Sequence, residues 1–227
     1  MTSTRDAADA ARAPFPDRHR IGPHAWLLQG LALSHAQDLV AALEAVLAHA
    51  PFRHMVTPGG LTMSVALTNC GDLGWTSDRR GYRYTAQDPV SGRDWPSMPD
   101  VFLRLAQEAA ALAGFPGFAP DACLVNRYLP GARLSLHQDR DERDFGFPIV
   151  SVSLGMPAVF LFGGALRSER PVRVPLEHGD VVVWGGGDRL RFHGVMPLKK
   201  AAASLFDVPR HPLLAGRRIN LTLRKAG

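Results

Sequence analysis

The sequence predicts a mainly β chain with flanking helices, an α+β arrangement, and three observations carry that expectation. Two stretches with helical spacing of apolar residues lie before residue 121. From there the pattern changes to short runs rich in Val, Leu, Phe and Ile, at 122–129, 134–138, 148–154, 158–162, 171–175, 180–184, 190–195 and 217–224, separated by turn residues. Short strands at that spacing point to an all-β sandwich or barrel. The chain has 227 residues, 46% of them hydrophobic and 21% charged, so it can bury a core without covalent staples.

In chain order, residues 1–20 are rich in Ala, Arg, Asp and Pro and lack the apolar segment of a signal peptide. They read as a mobile N-terminal tail, leaving 21–227 as a single domain. Ser34 followed by Gln37 has the form of a capping box, and Leu39, Val40, Leu43, Val46 and Leu47 then recur at helical spacing to about Ala50. A second helix is expected from near Ser97, with Asp100 three residues on, carrying Phe102, Leu103, Ala106, Ala109, Ala110 and Ala113 inward until Gly114 ends it. Between the helices, residues 51–96 mix glycines with Trp75, Tyr82, Tyr84, Trp95 and the bases Arg79, Arg80 and Arg83. Such a segment either presents stacking faces beside phosphate ligands or forms a plain β-hairpin layer.

Several classes are excluded at this level. Cys70 and Cys123 are the only cysteines, too few for a disulfide framework or a Cys-rich zinc site, and they suit a reducing cytoplasmic location. The longest apolar stretch, Leu154 to Leu166, is interrupted by Gly155, Pro157, Gly163 and Gly164 and is too short to span a bilayer, so no membrane partner is expected. The net charge of +5 is unevenly spread: residues 120–227 carry 16 Lys or Arg against 10 Asp or Glu, whereas the first 119 residues sum to −1. A basic surplus favours phosphate-bearing partners, and this one is modest. Nothing in the pattern demands more than a monomer.

The chemistry-bearing residues lie in the β half. His137 and Asp139, at the end of the run 134–138, share one side of an extended chain, and His193 can reach them from a strand packed across. Two imidazoles and one carboxylate make a facial triad, which leaves coordination positions open on a divalent iron for a bidentate cosubstrate and dioxygen, O2. His178, in Glu177-His178-Gly179-Asp180, reads instead as a turn residue. The H-x-D pattern is common by chance, so the triad needs support from elsewhere. In the last run Ile219, Leu221 and Leu223 alternate with Arg218, Asn220, Thr222 and Arg224. A strand with a wholly polar second face is either an arginine-protected edge or the wall of a polar cavity, and guanidinium pairs suit a dicarboxylate. Asn126 and Tyr128 share one face of the run 122–129 and would complete such a pocket.

These residues together resemble the AlkB family of iron(II)- and 2-oxoglutarate-dependent dioxygenases. The resemblance runs from Pro51 to Gly227. It includes Pro-Phe-Arg-His-Met-Val-Thr-Pro-Gly-Gly at 51–60, Thr-Asn-Cys-Gly at 68–71, Asn-Arg-Tyr-Leu-Pro-Gly-Ala at 126–132 and Leu-Ser-Leu-His-Gln-Asp at 134–139. It continues through Gly-Asp-Val-Val-Val-Trp-Gly-Gly at 179–186 to the closing Arg-x-Asn-x-Thr-x-Arg at 218–224, which is far more specific than H-x-D. The resemblance implies a double-stranded β-helix, or jelly-roll, catalytic core over 121–227, with a nucleotide-recognition lid over about 51–95. It implies Fe(II) on His137, Asp139 and His193, and 2-oxoglutarate held by Asn126, Tyr128, Arg218, Asn220 and Arg224. For the substrate it implies Trp75 stacked on the target base with His137 on the other side, Tyr82 at a backbone phosphate, Asp141 near the exocyclic amino group, and Arg167 at the mouth. The implied reaction is oxidative demethylation of 1-methyladenine and 3-methylcytosine in alkylated single- or double-stranded DNA, with RNA as an alternative polymer. Two departures stand out: Leu67 replaces an expected methionine, and the stretch 201–216 is longer than expected. The competing readings are the same iron core acting on a protein or small molecule, and a β-barrel that only binds nucleic acid.

Overall fold

The structure is a computed structural model that describes residues 17–200 and 211–227. Its elements are β1 (Arg18–Gly22), β2 (Ala25–Leu28), α1 (Ala36–His49), β3 (Arg53–Val56), β4 (Thr62–Gly71), β5 (Gly74–Asp78), β6 (Gly81–Thr85), α2 (Asp100–Leu112), β7 (Ala122–Tyr128), β8 (Leu134–His137), β9 (Ile149–Gly155), β10 (Ala158–Phe162), β11 (Val172–Leu176), β12 (Val181–Trp184), β13 (His193–Val195) and β14 (Arg218–Arg224). Eight strands form one sheet in the order β1-β2-β12-β9-β14-β7-β4-β3, four form a second in the order β11-β10-β13-β8, and β5 pairs with β6 apart from both. This is the expected jelly-roll sandwich, and all eight runs foreseen after residue 121 are strands. The last but one is trimmed to His193–Val195, because the preceding residues turn on a 3-10 segment at Gly186–Asp188 and an Arg191–Asp188 ion pair of 2.7 Å.

Period-two alternation sorts each central strand onto two faces. Val150, Val152, Leu154, Val181, Val183, Ile219, Leu221 and Leu223 pack under α1 and α2 with Leu39, Leu43, Phe102 and Leu105. The opposite face of the large sheet meets the small one through Leu124, Ile149, Val182, Trp184, Phe160, Phe162 and Val195. Each fully buried aliphatic side chain of this kind stabilises the fold by about 1.5–3 kcal/mol relative to exposure. The second core is incomplete in one sector, where Asn126, Ser151, Ser153, Arg218, Asn220, Thr222 and Arg224 replace apolar residues while remaining buried. That polar sector is where a site can be built.

Four expectations are corrected in detail. Strands β1 and β2 precede the helices, so residues 18–20 are strand rather than tail; β2 pairs with β12 from Val181↔Leu28 to Trp184↔Ala25 and extends the sheet. Residues 1–16 of the expected tail, and 201–210 of the long stretch, lie outside the described residues. The Ser34 capping box does not form: Leu33–His35 make a 3-10 turn, and α1 starts at Ala36 without a side-chain cap. A tertiary contact decides this, since the Ala32 amide donates to the Gly179 carbonyl at 2.9 Å. Helix α2 starts at Asp100 rather than near Ser97, because Pro99 is extended (ψ 140) and disfavours helical geometry in the residue before it. Its inward face uses Leu105, with Leu103 only partly buried. Finally, the region 51–95 is divided: β3 and β4 belong to the large sheet, and the β5–β6 hairpin is a separate ladder, held to it by Asn69, which bonds the Trp75 main chain twice at 3.0 Å, and by Ser77, whose hydroxyl donates to the Val56 carbonyl at 2.7 Å.

Candidate active site

The triad is assembled by strand register. His137 closes β8, His193 opens β13, and the two are directly opposed in an antiparallel pair. Gly194 permits the approach, since a Cβ there would lie 2.7 Å from the Leu134 carbonyl oxygen. Asp139 follows two residues after His137 on the same side. His137 Nε2 lies 3.6 Å from Asp139 Oδ1, and His193 Nε2 lies 3.6 Å from Asp139 Oδ2. The three ligand atoms fall within 4.8 Å of one another. Each imidazole donates from Nδ1 to a backbone carbonyl two residues back, at 2.9 Å to Ser135 and 3.0 Å to Arg191. Because a carbonyl only accepts, those contacts place the proton on Nδ1 and leave both Nε2 lone pairs facing the carboxylate. Separations of 3.6 Å exceed a hydrogen bond and match two bonds of about 2.0–2.2 Å to a shared first-row divalent metal. The donor set therefore fits ferrous iron.

Around the triad lies a cavity of about 680 Å³, whose lining includes Asn126, Tyr128, Trp184, Arg218, Asn220 and Arg224. Strand β14 is central, paired with β7 on one side and β9 on the other, so its arginines wall a cavity and do not guard an edge. Arg218 is 1% exposed; its Nη2 donates to Ser153 Oγ at 3.0 Å, while Nε and Nη1 have no hydrogen-bond partner. Its guanidinium carbon lies 5.0 Å from the Tyr128 ring centroid. A buried guanidinium with two idle donors on a cavity wall suits a carboxylate, and this fits 2-oxoglutarate. Asn220 is committed to the frame: its Nδ2 donates to Ser151 Oγ at 2.8 Å and the Val152 carbonyl at 3.0 Å, and its Oδ1 accepts from Thr222 and Asn126.

Arg224 has a different neighbourhood. Its Nε and Nη2 both donate to Asp139 Oδ2, at 3.0 and 2.6 Å, which leaves Oδ1 on the His137 side. Burial opposes ionisation of Asp139, yet the Arg224 guanidinium outweighs it and holds the carboxyl well below its ordinary range. Burial and the neighbouring His193 push His137 down to about 4, although 35% of its side chain stays open to solvent. The imidazole is therefore neutral at pH 7, the state a metal requires. Burial also raises the Tyr84 phenol well above its usual value, keeping it protonated.

At the mouth, Trp75 from β5 stacks on Tyr82 from β6, with centroids 5.5 Å apart and planes 16° apart. Trp75 Nε1 donates to Asp141 Oδ2 at 2.8 Å, so Asp141 braces the indole in this structure. Trp75, Tyr82 and Asp141 all line the cavity, whereas Arg167 does not; it is exposed, with its guanidinium carbon 5.8 Å from the Phe192 ring. Leu67, the departure in the lid, is buried on β4 in the cavity wall. His178 stands apart from the triad and accepts from the Gly155 amide.

Sequence reasoning missed Ser151, Ser153, Tyr84, Glu142 and Arg189. The two serines were findable, since they occupy alternate positions of an otherwise apolar strand. Glu142 and Arg189 carried no such signal, because their partners lie far along the chain. Arg189 Nη1 donates to the Asp139 carbonyl at 2.8 Å, and Nη2 pairs with Glu142 at 3.1 Å.

A jelly roll with this triad and an adjacent guanidinium defines an iron(II)- and 2-oxoglutarate-dependent oxygenase, and the family model of the 2OG-Fe(II) oxygenase superfamily matches residues 25–224. Within that superfamily the chain belongs to the AlkB family of alpha-ketoglutarate-dependent dioxygenases. It is 53% identical over 212 residues to the alpha-ketoglutarate-dependent dioxygenase AlkB of Escherichia coli K12, covering 93% of this chain and 94% of that protein. It is 47% identical over 196 residues to the AlkB homolog of Caulobacter vibrioides NA1000, covering 86% and 84% respectively. The solved structure of OsALKBH1 matches with a TM-score of 0.78 at 28% identity, covering 92% of this chain and 100% of that one.

Proposed function

We propose that this dioxygenase repairs alkylated DNA, with RNA as a second polymer, by oxidative demethylation of 1-methyladenine and 3-methylcytosine, releasing formaldehyde, succinate and carbon dioxide. The observation that carries the reading is a single cavity with the His137–Asp139–His193 triad and the idle Arg218 donors inside and the Trp75 indole at its mouth. Bound there, ferrous iron with 2-oxoglutarate and O2 supplies the oxidising power for hydroxylating an N-methyl group.

The chain's own residues do the rest. Arg218, with Tyr128 and Asn126 beside it, would receive and orient the cosubstrate, while Asn220 keeps the wall in register and Arg224 serves both Asp139 and the cosubstrate side of the cavity. A methyl group on the Watson–Crick edge is unreachable in a stacked duplex, so the base must be flipped or come from a single strand. Trp75 offers the receiving face, worth about 1–3 kcal/mol of stacking. Methylation at these positions makes the base cationic, and Asp141 then discriminates in favour of the lesion by charge. Tyr82 is assigned to a backbone phosphate and Arg167, outside the cavity, to a more distant stretch of the polymer.

The same reading takes a single catalytic domain, the expected 21–227 extended back to include β1, with the β5–β6 hairpin of 51–95 supplying the lid and 121–227 the core, acting as a cytoplasmic monomer. Among the described residues no helix is long and apolar enough to cross a membrane. The buried, free Cys70 and Cys123 are in keeping with a reducing compartment. The test is incubation with ferrous iron, 2-oxoglutarate and a 1-methyladenine oligonucleotide, following formaldehyde and restored adenine by mass spectrometry. Asp139→Ala should lower both succinate and formaldehyde by at least about 100-fold, more than loss of an outer ligand partner causes. Wild-type succinate release from that variant would remove the metal assignment.

A further inference from the structure

A buried polar chain ties the β5–β6 hairpin to the metal-ligating carboxylate. Tyr84, on β6, donates from its hydroxyl to Glu142 Oε1 at 2.8 Å. The Glu142 side chain is 2% exposed and pairs with Arg224 at 3.3 Å and Arg189 at 3.1 Å. Both arginines converge on Asp139, Arg224 at the side-chain Oδ2 and Arg189 at the main-chain carbonyl. Arg224 Nη1 also donates to the Tyr84 hydroxyl, at 3.4 Å. Two carboxylates thus offset two guanidiniums out of water, and the neutral phenol attaches the two-stranded hairpin to that cluster.

From this arrangement we infer that Tyr84 and Glu142 are positioning residues, which fix the hairpin carrying Trp75 relative to Asp139 and set the Arg224 guanidinium. The hairpin has a second polar link to the same segment, Trp75 to Asp141, but Asp141 is exposed and water competes for it. The Tyr84–Glu142 bond is part-buried, with the Glu142 side chain 2% exposed, so solvent replaces a lost partner there less readily. Glu142 also has a charge duty: without it, two buried guanidiniums would share the single Asp139 carboxylate. The role of Trp75 in this inference rests on the proposed function, whereas the link between hairpin and cluster does not.

The test is amide hydrogen exchange on the full chain, with and without ferrous iron under anaerobic conditions, comparing wild type with Tyr84→Phe and Glu142→Gln. The phenylalanine keeps the ring and removes only the hydroxyl. Residues 74–85 should then exchange about tenfold faster, the scale of one hydrogen bond to a charged group, with β9 and β14 unchanged. Glu142→Gln keeps an acceptor for the phenol but not the charge, so the hairpin should stay near wild type while the 2-oxoglutarate KM rises. Turnover gives the second readout: Tyr84→Phe should raise the methylated-oligonucleotide KM and lower the formaldehyde formed per succinate. Wild-type exchange of 74–85 in Tyr84→Phe, or acceleration spread evenly over all strands, would overturn the inference. If Glu142→Gln does not fold, Tyr84→Phe decides alone. Since exchange is read without substrate, a protein inactive on methylated DNA can still pass or fail it.

Discussion

At Arg218 a full positive charge sits in the protein interior with two donors unmatched. Each buried unsatisfied group costs about 1–3 kcal/mol, so this side chain opposes folding until a carboxylate arrives. Arg218→Met keeps much of the volume and removes the desolvated charge. It should raise the melting temperature of the ligand-free protein by about 2–4 °C for each kcal/mol recovered, and abolish the further rise that 2-oxoglutarate produces in the wild type. Differential scanning fluorimetry with and without 2-oxoglutarate reads both, and an equal ligand-induced rise in the variant would return Arg218 to a structural role. The triad was legible at this scale because His137 and Asp139 are two residues apart on an extended chain. The Glu142–Arg189 pair was not, because its members are held together by folds in the chain that local spacing does not report.

Among the elements, β14 illustrates how a local pattern acquires meaning. Alternation alone left it as either an edge or a cavity wall, and the pairing of Arg218 with Tyr128 on one side and Gly155 on the other made it the latter. The helix starts went the other way: Ser34 and Ser97 looked like caps, but the Gly179 carbonyl and Pro99 set the boundaries. Arg53 on β3 makes a bidentate pair with Asp88, at 2.8 and 2.5 Å, joining the sheet edge to the segment after the hairpin. Burial would raise Asp88, but Arg53, the Val90 amide and Ser91 together hold it at about 2. A depressed carboxyl stabilises the fold above its unfolded pKa, near 3.8, and loses that contribution as pH falls toward 2. Asp88→Asn should therefore cost about 1–2 kcal/mol at pH 7, allowing for solvent screening at the loop rim. The gap between wild type and variant in urea melts should close between pH 4 and 2; a gap independent of pH would exclude the ion pair as its source.

Taken whole, the molecule is a three-layer stack of helices, an eight-stranded sheet and a four-stranded sheet, with the hairpin packed beside β3, β4 and β7 of the large sheet. The charge asymmetry of the chain reaches the site through Arg133 and Arg140, which line the cavity. Binding of a methylated single strand should therefore weaken with salt, with log K falling against log salt at a slope of about −2 if three phosphates are neutralised. Arg133→Ala should reduce the slope by about 0.7, and a salt-independent affinity in filter binding would deny that phosphate contacts contribute.

Composition and alternation were sufficient to establish a β-rich chain with a polar final strand and a candidate triad, and the resemblance of its contiguous motifs to the AlkB family supplied the dioxygenase reading, since those features are periodic or contiguous along the chain. Only the tertiary structure decided that β3 and β4 belong to the main sheet, that Arg224 grips Asp139, and that Glu142 joins the hairpin to the centre. Such contacts depend on which strands become neighbours, and burial energy summed over the whole core selects that arrangement rather than any local sequence signal.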